Sequence, residues 1–600
     1  MSFSNLSILI IILLSLGNIP HYRGCYNELS NTITRYAINA TLFPENRTLE
    51  AMLNIRILNS RKIEFTKLYF HFYPNSKYFR FKGGRVLFLQ VFRKEHSLVF
   101  SFKGDDLSIL EILLDKPLKP YDKYSIIFIK YKIVIPHERG RYGYYNKIFA
   151  IGNWYPILAV YNGTDWILNP YYPYGESFYS EAASYDVTIK IPKDYVVAAT
   201  GKLVEVEIRD NYAIYRWHVD LARDFAWTAS KNYLVEKTTL ETGSKKIEIY
   251  AYLLKSSQKY SRKILTYASQ TIKTYIELFG DYPYTYYRIC EVCADFAGME
   301  YPALVMIASD VISCDELLEI VIAHETAHQW WYNVVGNDQA AEPWLDEALA
   351  EYSQLLYIEH IYGRERFASL YWKYILNPYY SNLPDNRTTP TLGSIWDFKN
   401  SREYLTMVYL RGAAFLHMLR NVIGYEKFIL SLETYYYRFY FRIARTEDLI
   451  IVFEEVTGQD LKWFFKEWLA RSETPSFRLT YAKAFFENGK YVLKIGIHQG
   501  NVTQPFKTFL PVSIYTLGGT INKIVYVYNF ENEITIYLNE LPLEVLLDPE
   551  NDFLGFDYDS PKNVELVAKS SPQLVYVVLV LGAILIFLVG VFYLTAKSRK

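Results

Sequence analysis

Two histidines and a glutamate in the segment VIAHETAHQWW (residues 321–331) could form part of a metal site. His324 and His328 are four residues apart, so on a helix both imidazoles project from one face and can bind the same ion. Glu325 follows the first histidine directly, which lets its carboxylate reach a water molecule at that ion. The alternative is a capped or exposed helix on which two histidines coincide, because the His-Glu-x-x-His pattern also occurs by chance.

A third ligand is required, because a catalytic zinc takes three protein ligands and keeps a fourth position open. Glu347 lies 19 residues after His328, at the start of a second helical segment, WLDEALAEY. A helix–loop–helix hairpin can return this carboxylate to the two histidines, and such a ligand set favours zinc among the divalent ions. A single glutamate is more often a solvated charge on a helix face, but the spacing argues against that interpretation here.

Two further segments extend the pattern: FAGMEYPALV (296–305) precedes the histidines, and VYLRGAAFLHMLR (408–420) follows Glu347. The order and spacing of these elements resemble those of the gluzincin zinc metallopeptidases related to aminopeptidase N and leukotriene hydrolase. In that family the first segment is the Gly-x-Met-Glu-Asn motif of exopeptidases. The second is a Tyr-x-Lys-Gly-Ala segment that carries a catalytic tyrosine. The resemblance covers residues 30–550.

The resemblance implies one zinc ion per chain, bound by His324, His328 and Glu347. It implies Glu325 as the general base that acts on the attacking water, and Tyr409 as a hydrogen-bond donor to the oxyanion of the tetrahedral intermediate. Glu300 would bind the free α-amino group of the substrate, with Gly298 and Met299 beside it in the substrate site. An ammonium group held one residue from the scissile bond makes a peptidase an aminopeptidase.

Both motifs depart from the family pattern. Ala297 stands where the first glycine is usual and Tyr301 where asparagine is usual, which keeps Glu300 but changes the expected shape of the first subsite. Arg411 replaces the usual lysine of the tyrosine segment and keeps its charge. The family's N-terminal domain often adds a second polar residue for the amine. Glu176 could serve, although a carboxylate on a surface loop is the favoured interpretation.

Residues beside the ligands could support them. Asp346 and Glu351 flank the third ligand, and either could orient a histidine through its free ring nitrogen. The favoured interpretation of both is a charge on the helix surface. Trp330 and Trp331 follow the histidine pair and are interpreted as packing residues rather than substrate contacts.

The elements that position these motifs fall into domains. Short β-branched and aromatic stretches, such as KIEFTKLYFHFYP and SYDVTIKIP, predict a β-rich N-terminal domain over residues 25–240. Helical spacing from Ser257 onwards predicts a catalytic domain over 241–472, which the resemblance identifies as thermolysin-like α+β. Alternation returns in YVLKIGIHQ and EITIYLN, which predicts a small C-terminal β domain over 473–557 and then a polar linker over 558–573.

Both ends of the chain carry apolar runs. The uncharged run Leu6–Leu16 is too short to span a bilayer and predicts a signal peptide over residues 1–24, although Met1–Asn5 lacks a basic residue. Leu574–Thr595 is 22 residues without a charge, and a basic tail follows at 596–600. This pattern predicts one transmembrane helix with its C-terminus inside the cell. We therefore expect an extracellular catalytic ectodomain, held at membrane lipid by that helix.

The composition fits an exported globular chain better than a nucleic-acid-binding one. Lys+Arg and Asp+Glu are both 64, so the chain has no net basic charge for phosphate backbones. Asn-x-Ser/Thr triplets, which accept glycans outside the cell, occur at Asn39, Asn46, Asn162, Asn386 and Asn501. In an oxidising exterior, a disulfide from Cys314 to Cys290 or Cys293 is one possibility.

These residues predict a membrane-anchored zinc aminopeptidase whose substrates are peptides with a free N-terminus. Among enzymes, the alternative is a zinc endopeptidase of the same fold, which would not need the substrate amine. A third hypothesis is an inactive receptor-like ectodomain. It is disfavoured because an inactive chain should lose a ligand, the base or the tyrosine, and all of these are present.

Overall fold

The computed structural model describes residues 33–121, 125–243, 245–383, 388–555 and 562–567. They form two compact units, which part between Ser472 and Glu473. The predicted domain boundary at 472/473 falls at the same place.

Several predicted features lie outside the described residues: the signal peptide (1–24), the transmembrane helix (574–595), the basic tail (596–600), Cys25 and Asn386. In the part of the chain that the structure describes, no helix combines the length and apolar character needed to cross a bilayer.

The N-terminal part of the first unit is rich in strands, which confirms the predicted β character of this region. Its largest sheet has eight strands, in the spatial order Lys202–Arg209, Tyr212–Ala222, Ala183–Pro192, Arg35–Phe43, Thr48–Ile57, Ser125–Val134, Arg85–Arg93 and His96–Ser97. Strand Arg35–Phe43 pairs antiparallel with Thr48–Ile57 and parallel with Ala183–Pro192. Its buried side chains alternate with more exposed ones, because successive side chains of a strand point to opposite faces.

Two four-stranded sheets complete this part. One has the order Val196–Ala199, Trp227–Ser230, Ile148–Ile151 and Tyr142–Tyr145, and the other has the order Ile157–Leu158, Phe65–His71, Ile109–Leu118 and Phe100–Lys103. Short helical turns are Pro44–Asn46, Tyr73–Asn75 and Lys77–Phe81. An irregular segment, residues 159–182, leads from strand Ile157–Leu158 to strand Ala183–Pro192 and carries Glu176.

A five-stranded mixed sheet follows, in the order Tyr233–Thr242, Lys245–Leu254, Tyr286–Val292, Leu304–Ala308 and Gly298–Met299. The sheet begins with Tyr233, earlier than the predicted domain boundary at 240/241. Its middle strand, Tyr286–Val292, is buried along its whole length, as expected where both faces of a parallel region are covered. Cys290, Cys293 and Cys314 are free, so the structure contains none of the disulfides considered among them.

Helices dominate the rest of the first unit, as predicted. They are Ser261–Phe279, Ser309–Ile312, Asp315–Ala327, Trp344–Tyr362, Arg364–Tyr371, Asn377–Ser381, Ser401–Tyr404, Arg411–Ile423, Tyr425–Arg438, Thr446–Thr457 and Lys462–Leu469. The 3₁₀ segments are Lys255–Tyr260 and Ile395–Asp397, and the π-helical segments are Trp372–Leu376 and Leu405–Leu410. Helix Ser261–Phe279 ends at Gly280, whose φ of 111° lies in a region that favours glycine.

The described residues of the second unit form two four-stranded sheets. Their orders are Glu531–Leu538, Lys490–Gly500, Ser476–Glu487 and Glu565–Leu566 in one, and Gly519–Val527, Thr508–Thr516, Pro542–Leu547 and Lys562–Asn563 in the other. Residues 562–567 therefore contribute an edge strand to each sheet, whereas the sequence predicted a polar linker there.

Candidate active site

Two helices bring the three predicted metal ligands together. Helix Asp315–Ala327, here called the histidine helix, carries His324 in its last turn and ends with His328 as its C-cap. Helix Trp344–Tyr362, here called the glutamate helix, carries Glu347 in its first turn. All three side chains are buried and offer ligand atoms to one point.

The spacing of the ligand atoms fits a tetrahedral zinc ion. The Nε2 atoms of His324 and His328 are 3.2 Å apart, and Glu347 Oε2 is 3.3 Å from each. Zinc–ligand bonds of about 2.0–2.1 Å at tetrahedral angles separate ligand atoms by roughly 3.3–3.4 Å. Glu347 Oε2 is buried and accepts no well-aligned hydrogen bond from any described residue. A cation is the partner that this oxygen lacks.

The charges in the cluster also suit a cation. Burial alone would lower the pKa of His328, but the adjacent Glu347 carboxylate raises it to about 9. Burial would also lower the pKa of His324, but Glu347 and Glu351 raise it well above its ordinary value. Burial would raise the pKa of Glu347, yet the two histidines hold it well below its usual range. The cluster thus stabilises positive charge, which a divalent ion would supply in place of the imidazole protons.

Hydrogen-bond acceptors fix both imidazole rings. Glu351 Oε2 lies 3.1 Å from Nδ1 of His324, so Glu351 is an orienting contact rather than only a surface charge. The Nδ1 atom of His328 lies 3.2 Å from the backbone oxygen of Trp331. Each ring therefore directs its Nε2 atom toward the candidate metal position.

Asp346 lies in the interior beside His328 rather than on the helix surface. It is buried, so the surface-charge interpretation is wrong, and its Oδ2 atom is 4.0 Å from Nδ1 of His328. Its two carboxylate oxygens instead accept hydrogen bonds from Asn337 and Gln339, each at 2.7 Å. Asp346 thus joins the glutamate helix to the loop that precedes it.

Glu325, the predicted base, lies in the cavity wall beside the ligand cluster. It is only 6% exposed, and this burial raises the pKa of its carboxyl to about 8. Gly298 packs directly against it: a Cβ atom at Gly298 would lie 2.3 Å from Glu325 Oε1. The absence of a side chain at Gly298 therefore leaves the space that the carboxylate occupies.

Glu300 follows the short strand Gly298–Met299 and lines the same cavity. Asn333 Nδ2 donates to the backbone oxygen of Glu300 at 2.6 Å, and Gln339 Nε2 donates to its Oε1 atom at 3.0 Å. Gly298 also lines the cavity, but Met299 is buried and does not. The resemblance implied that Met299 lies in the substrate site, but Met299 does not line this cavity.

Tyr301, the unusual residue of this motif, points away from the cavity. Its hydroxyl donates to Asn153 Oδ1 at 2.6 Å, and Asn153 donates in turn to Asp224 Oδ2 at 2.6 Å. A Cβ atom at Gly152 would lie 1.8 Å from the Tyr301 hydroxyl, so the phenol fills the space beside that glycine. The tyrosine thus anchors the motif to the N-terminal strands and does not form the first subsite.

Tyr409 lies on the π-helical segment Leu405–Leu410, an irregularity that often occurs at functional sites. Its ring stacks on that of His324, with centroids 6.0 Å apart and planes inclined by 14°. Burial, with the adjacent Glu347 carboxylate, raises the pKa of Tyr409 well above its ordinary value, so the hydroxyl keeps its proton and can donate it in a hydrogen bond. Tyr404 lies beside it, with ring centroids 5.8 Å apart.

Three other residues from the motif segments serve the protein interior. Arg411 is fully buried and donates to the Tyr379 hydroxyl at 2.6 Å, so it lies away from the cavity. Trp330 and Trp331 are buried, and each indole N–H donates to a protein oxygen. Their predicted role in packing agrees with these contacts.

Glu176 is in the cavity wall, so its interpretation as a surface carboxylate is wrong. It is 7% exposed, and its Oε1 atom pairs with Arg141 Nη2 at 3.1 Å. The Arg141 guanidinium lies against the rings of Phe178 and Phe296, 5.2 and 5.3 Å from their centroids. Burial raises the pKa of Glu176 well above its ordinary value although Arg141 opposes the shift.

These side chains surround one cavity of about 720 Å³. Both the N-terminal strands and the helices contribute to its wall, which apart from the charged groups is largely aromatic and aliphatic: Tyr78, Phe79, Tyr171, Tyr174, Phe296, Leu317, Tyr374 and Leu405. This volume is in the range of small-molecule sites and can hold the end of a peptide.

Sequence reasoning missed three residues of this site: Arg141, Gln339 and Tyr404. None belongs to a motif, and each reaches the site through contacts between distant segments. The sequence signal nearest to Tyr404 is Gly175, where a Cβ atom would lie 2.7 Å from the Tyr404 hydroxyl. A lone glycine, however, does not indicate which ring lies against it.

Comparisons with known proteins agree with this geometry. Residues 264–468 match the family model described as "Peptidase family M1 domain". The chain is similar to aminopeptidase M1-B of Oryza sativa subsp. japonica, with 28% identity over 269 residues, which cover 42% of this chain and 29% of the relative. It is also similar to leukotriene A-4 hydrolase of Xenopus laevis, with 27% identity over 218 residues, which cover 35% of this chain and 34% of that protein.

Two solved structures share the fold. Aminopeptidase A of Legionella pneumophila, solved in complex with aspartic acid, superposes with a TM-score of 0.65 at 15% identity, covering 88% of this chain and 60% of that one. An M1 zinc metallopeptidase from Deinococcus radiodurans gives a TM-score of 0.56 at 16% identity, and the match covers 73% of this chain and 94% of that one.

The matched regions span only about a third of the length of the rice and frog relatives. The family match nevertheless includes the histidine helix, the glutamate helix and Tyr409. Residues 264–468 therefore form a domain of peptidase family M1, as the resemblance of the motifs predicted.

Proposed function

We propose that this chain is a zinc aminopeptidase that removes N-terminal residues from peptides. The observation that carries the proposal is the position of Glu300 and Glu176 in one cavity with the ligand cluster of His324, His328 and Glu347. A site for hydrolysis alone needs the metal ligands and a base. The additional buried carboxylates supply what a free substrate ammonium requires.

The three ligands would hold the zinc ion, which when bound supplies Lewis-acid activation of water and of the scissile carbonyl. Glu325 accepts the proton of the attacking water and delivers it to the nitrogen of the leaving peptide. The Tyr409 hydroxyl keeps its proton and donates a hydrogen bond to the oxyanion as the carbonyl becomes tetrahedral.

The exopeptidase register follows from the carboxylates. An ammonium at Glu300 and Glu176 sits next to the metal position, so the bond that reaches the metal is the first peptide bond of the chain. Arg141 pairs with Glu176 and holds its carboxylate against the cavity, while Gln339 holds that of Glu300. The peptide beyond the first residue would extend along the aromatic wall.

We further propose that the enzyme is a glycoprotein of the cell membrane with its catalytic part outside the cell. Support comes from the apolar runs Leu6–Leu16 and Leu574–Thr595, and from the basic tail at 596–600. Four asparagines of glycan-acceptor triplets are exposed in the described residues: Asn39, Asn46, Asn162 and Asn501. The partners are then peptides with a free N-terminus and membrane lipid, and the neutral overall charge gives no reason to expect nucleic acid.

The test uses the full chain in detergent micelles with matched peptides that carry a free or an acetylated N-terminus. We expect stepwise removal of residues from the free peptide, no cleavage of the acetylated one, and loss of activity with a chelator that added zinc restores. Internal cleavage of the acetylated peptide would establish an endopeptidase instead. A zinc-loaded chain that cleaves neither peptide would support the inactive-ectodomain hypothesis.

A further inference from the structure

Gln339 lies between two carboxylates of the site without lining the cavity itself. It is 1% exposed, and its side-chain nitrogen donates to Asp346 Oδ2 at 2.7 Å and to Glu300 Oε1 at 3.0 Å. Both hydrogens of one amide group are therefore used, one on each carboxylate.

The orientation of this amide is dictated by its neighbours. If the group were rotated by 180°, its carbonyl oxygen would face two carboxylate oxygens, which cannot donate when ionised. In the observed orientation Gln339 Oε1 has no hydrogen-bond partner among the described residues, although it is buried. The fold leaves an acceptor unsatisfied here while both donor contacts are made, so the donor contacts determine the position of the side chain.

The two carboxylates belong to separate parts of the proposed mechanism. Asp346 directly precedes the metal ligand Glu347 on the glutamate helix, and Glu300 follows the strand Gly298–Met299. A single nitrogen within 3.0 Å of both fixes the separation between them. With one Glu300 oxygen bound to Gln339, the carboxylate keeps a defined face toward the cavity that it lines.

We propose that Gln339 is a positioning residue: it holds the Glu300 carboxylate at a fixed distance from the metal-binding helix and so sets the one-residue register of the aminopeptidase. The inference rests on the proposed function, because it assigns the substrate amine to Glu300. Gln339 acts through Glu300 and does not touch the substrate.

The chain offers a matched control in Asn337. Its Nδ2 atom donates to the other oxygen of Asp346 at 2.7 Å, and Asn337 is also buried, but its contacts do not include Glu300. Asn337→Leu thus removes a hydrogen bond to Asp346 without releasing Glu300. Gln339→Met removes both donor contacts at nearly constant side-chain length, and Gln339→Leu replaces it if the methionine variant does not accumulate.

The experiment measures kcat and KM for an aminoacyl-anilide with the full chain in micelles, together with zinc content. It also measures inhibition by leucine hydroxamate and its N-acetyl derivative. We expect Gln339→Met to raise KM by roughly 10- to 100-fold, the effect of losing a hydrogen bond to a charged group, with zinc content unchanged. The preference for the free-amine inhibitor should fall by a similar factor. Asn337→Leu should keep that preference within about threefold of wild type.

A double-mutant cycle separates positioning from general structural damage. If Gln339 acts through Glu300, then Gln339→Met should have little further effect on KM in a Glu300→Ala background. Additive effects, equal weakening of both inhibitors, or loss of zinc would overturn the inference. Failure of the proposed function has a different signature, because wild type itself would then bind the free-amine and acetylated inhibitors equally.

Discussion

Replacing Gly298 by alanine tests the position of the proposed base without altering the base itself. The added methyl would lie 2.3 Å from Oε1, 2.4 Å from Cδ and 2.5 Å from Cγ of Glu325. Ordinary contact begins at 3.4 Å, so the Glu325 side chain must move by about 1 Å to make room. The φ angle of Gly298 is not in the left-handed region, so alanine meets no backbone penalty there.

A displacement of this size should greatly reduce catalysis, because a misplacement of about 1 Å can cost about 100-fold in rate. We expect Gly298→Ala to lower kcat by about 100-fold and to retain zinc. Overpacking should also reduce the free energy of unfolding by about 1–3 kcal/mol. The assays are saturation kinetics on an aminoacyl-anilide, metal analysis of the purified chain and denaturant unfolding.

Glu325→Ala provides the matched background. It removes the atoms that the new methyl would meet, so Gly298→Ala should cost little stability when combined with it. Wild-type kcat in Gly298→Ala would refute this reasoning, because it would mean that the Glu325 carboxylate is displaced without consequence for proton transfer.

Three further predictions concern other parts of the first unit. Tyr409→Phe should lower kcat by roughly 10²–10³-fold in steady-state assays while zinc content stays at the wild-type level, and an unchanged kcat would exclude the oxyanion role. Removing the metal with a chelator should lower the melting temperature measured by calorimetry, and added zinc should restore it, because the buried cluster of His324, His328 and Glu347 then loses its neutralising ion. Burial lowers the pKa of His71 from 6.5 to about 4, so the unfolded chain binds this proton at a higher pH than the folded chain does. The contribution of neutral His71 to the free energy of unfolding is therefore complete above pH 6.5 and is lost as the pH falls toward 4. The loss should be about 2 kcal/mol between pH 7.5 and pH 5. Chemical denaturation at these two pH values should show that His71→Phe removes this part of the acid sensitivity, and an identical pH dependence in the variant would contradict it.

The sequence predicted best those parts of the site that depend on local geometry. His324, Glu325 and His328 are placed by one helix, and a hairpin of fixed length returns Glu347 to them. The relative position of the two histidines follows from the helical period. Residues 328–343 connect the two helices and return Glu347, and the spacing of the motifs predicted this return.

Residues placed by tertiary packing were harder to predict. Glu176 lies on an irregular segment, where no period indicates which side chains are buried, and its burial depends on Arg141 from another strand connection. Asp346 has the sequence setting of a surface helix charge, yet Asn337 and Gln339 satisfy it in the interior. The direction of Tyr301 likewise depends on space at Gly152, which is almost 150 residues away in the sequence.

The N-terminal part and the helical part of the first unit each contribute residues to the proposed amine site. The M1 domain match begins at residue 264, so it contains Glu300 and the metal ligands but neither Glu176 nor Arg141. Tyr301, the residue that follows Glu300 in the sequence, donates a hydrogen bond to Asn153. This contact connects the proposed amine site to the strands that precede Glu176. The two carboxylates thus reach the same cavity from separate parts of the first unit. In the proposed function, the register of cleavage therefore depends on how those parts are held together. For this reason, adding a side chain at Gly152, which would displace the Tyr301 hydroxyl, should weaken recognition of the substrate amine more than it weakens metal binding.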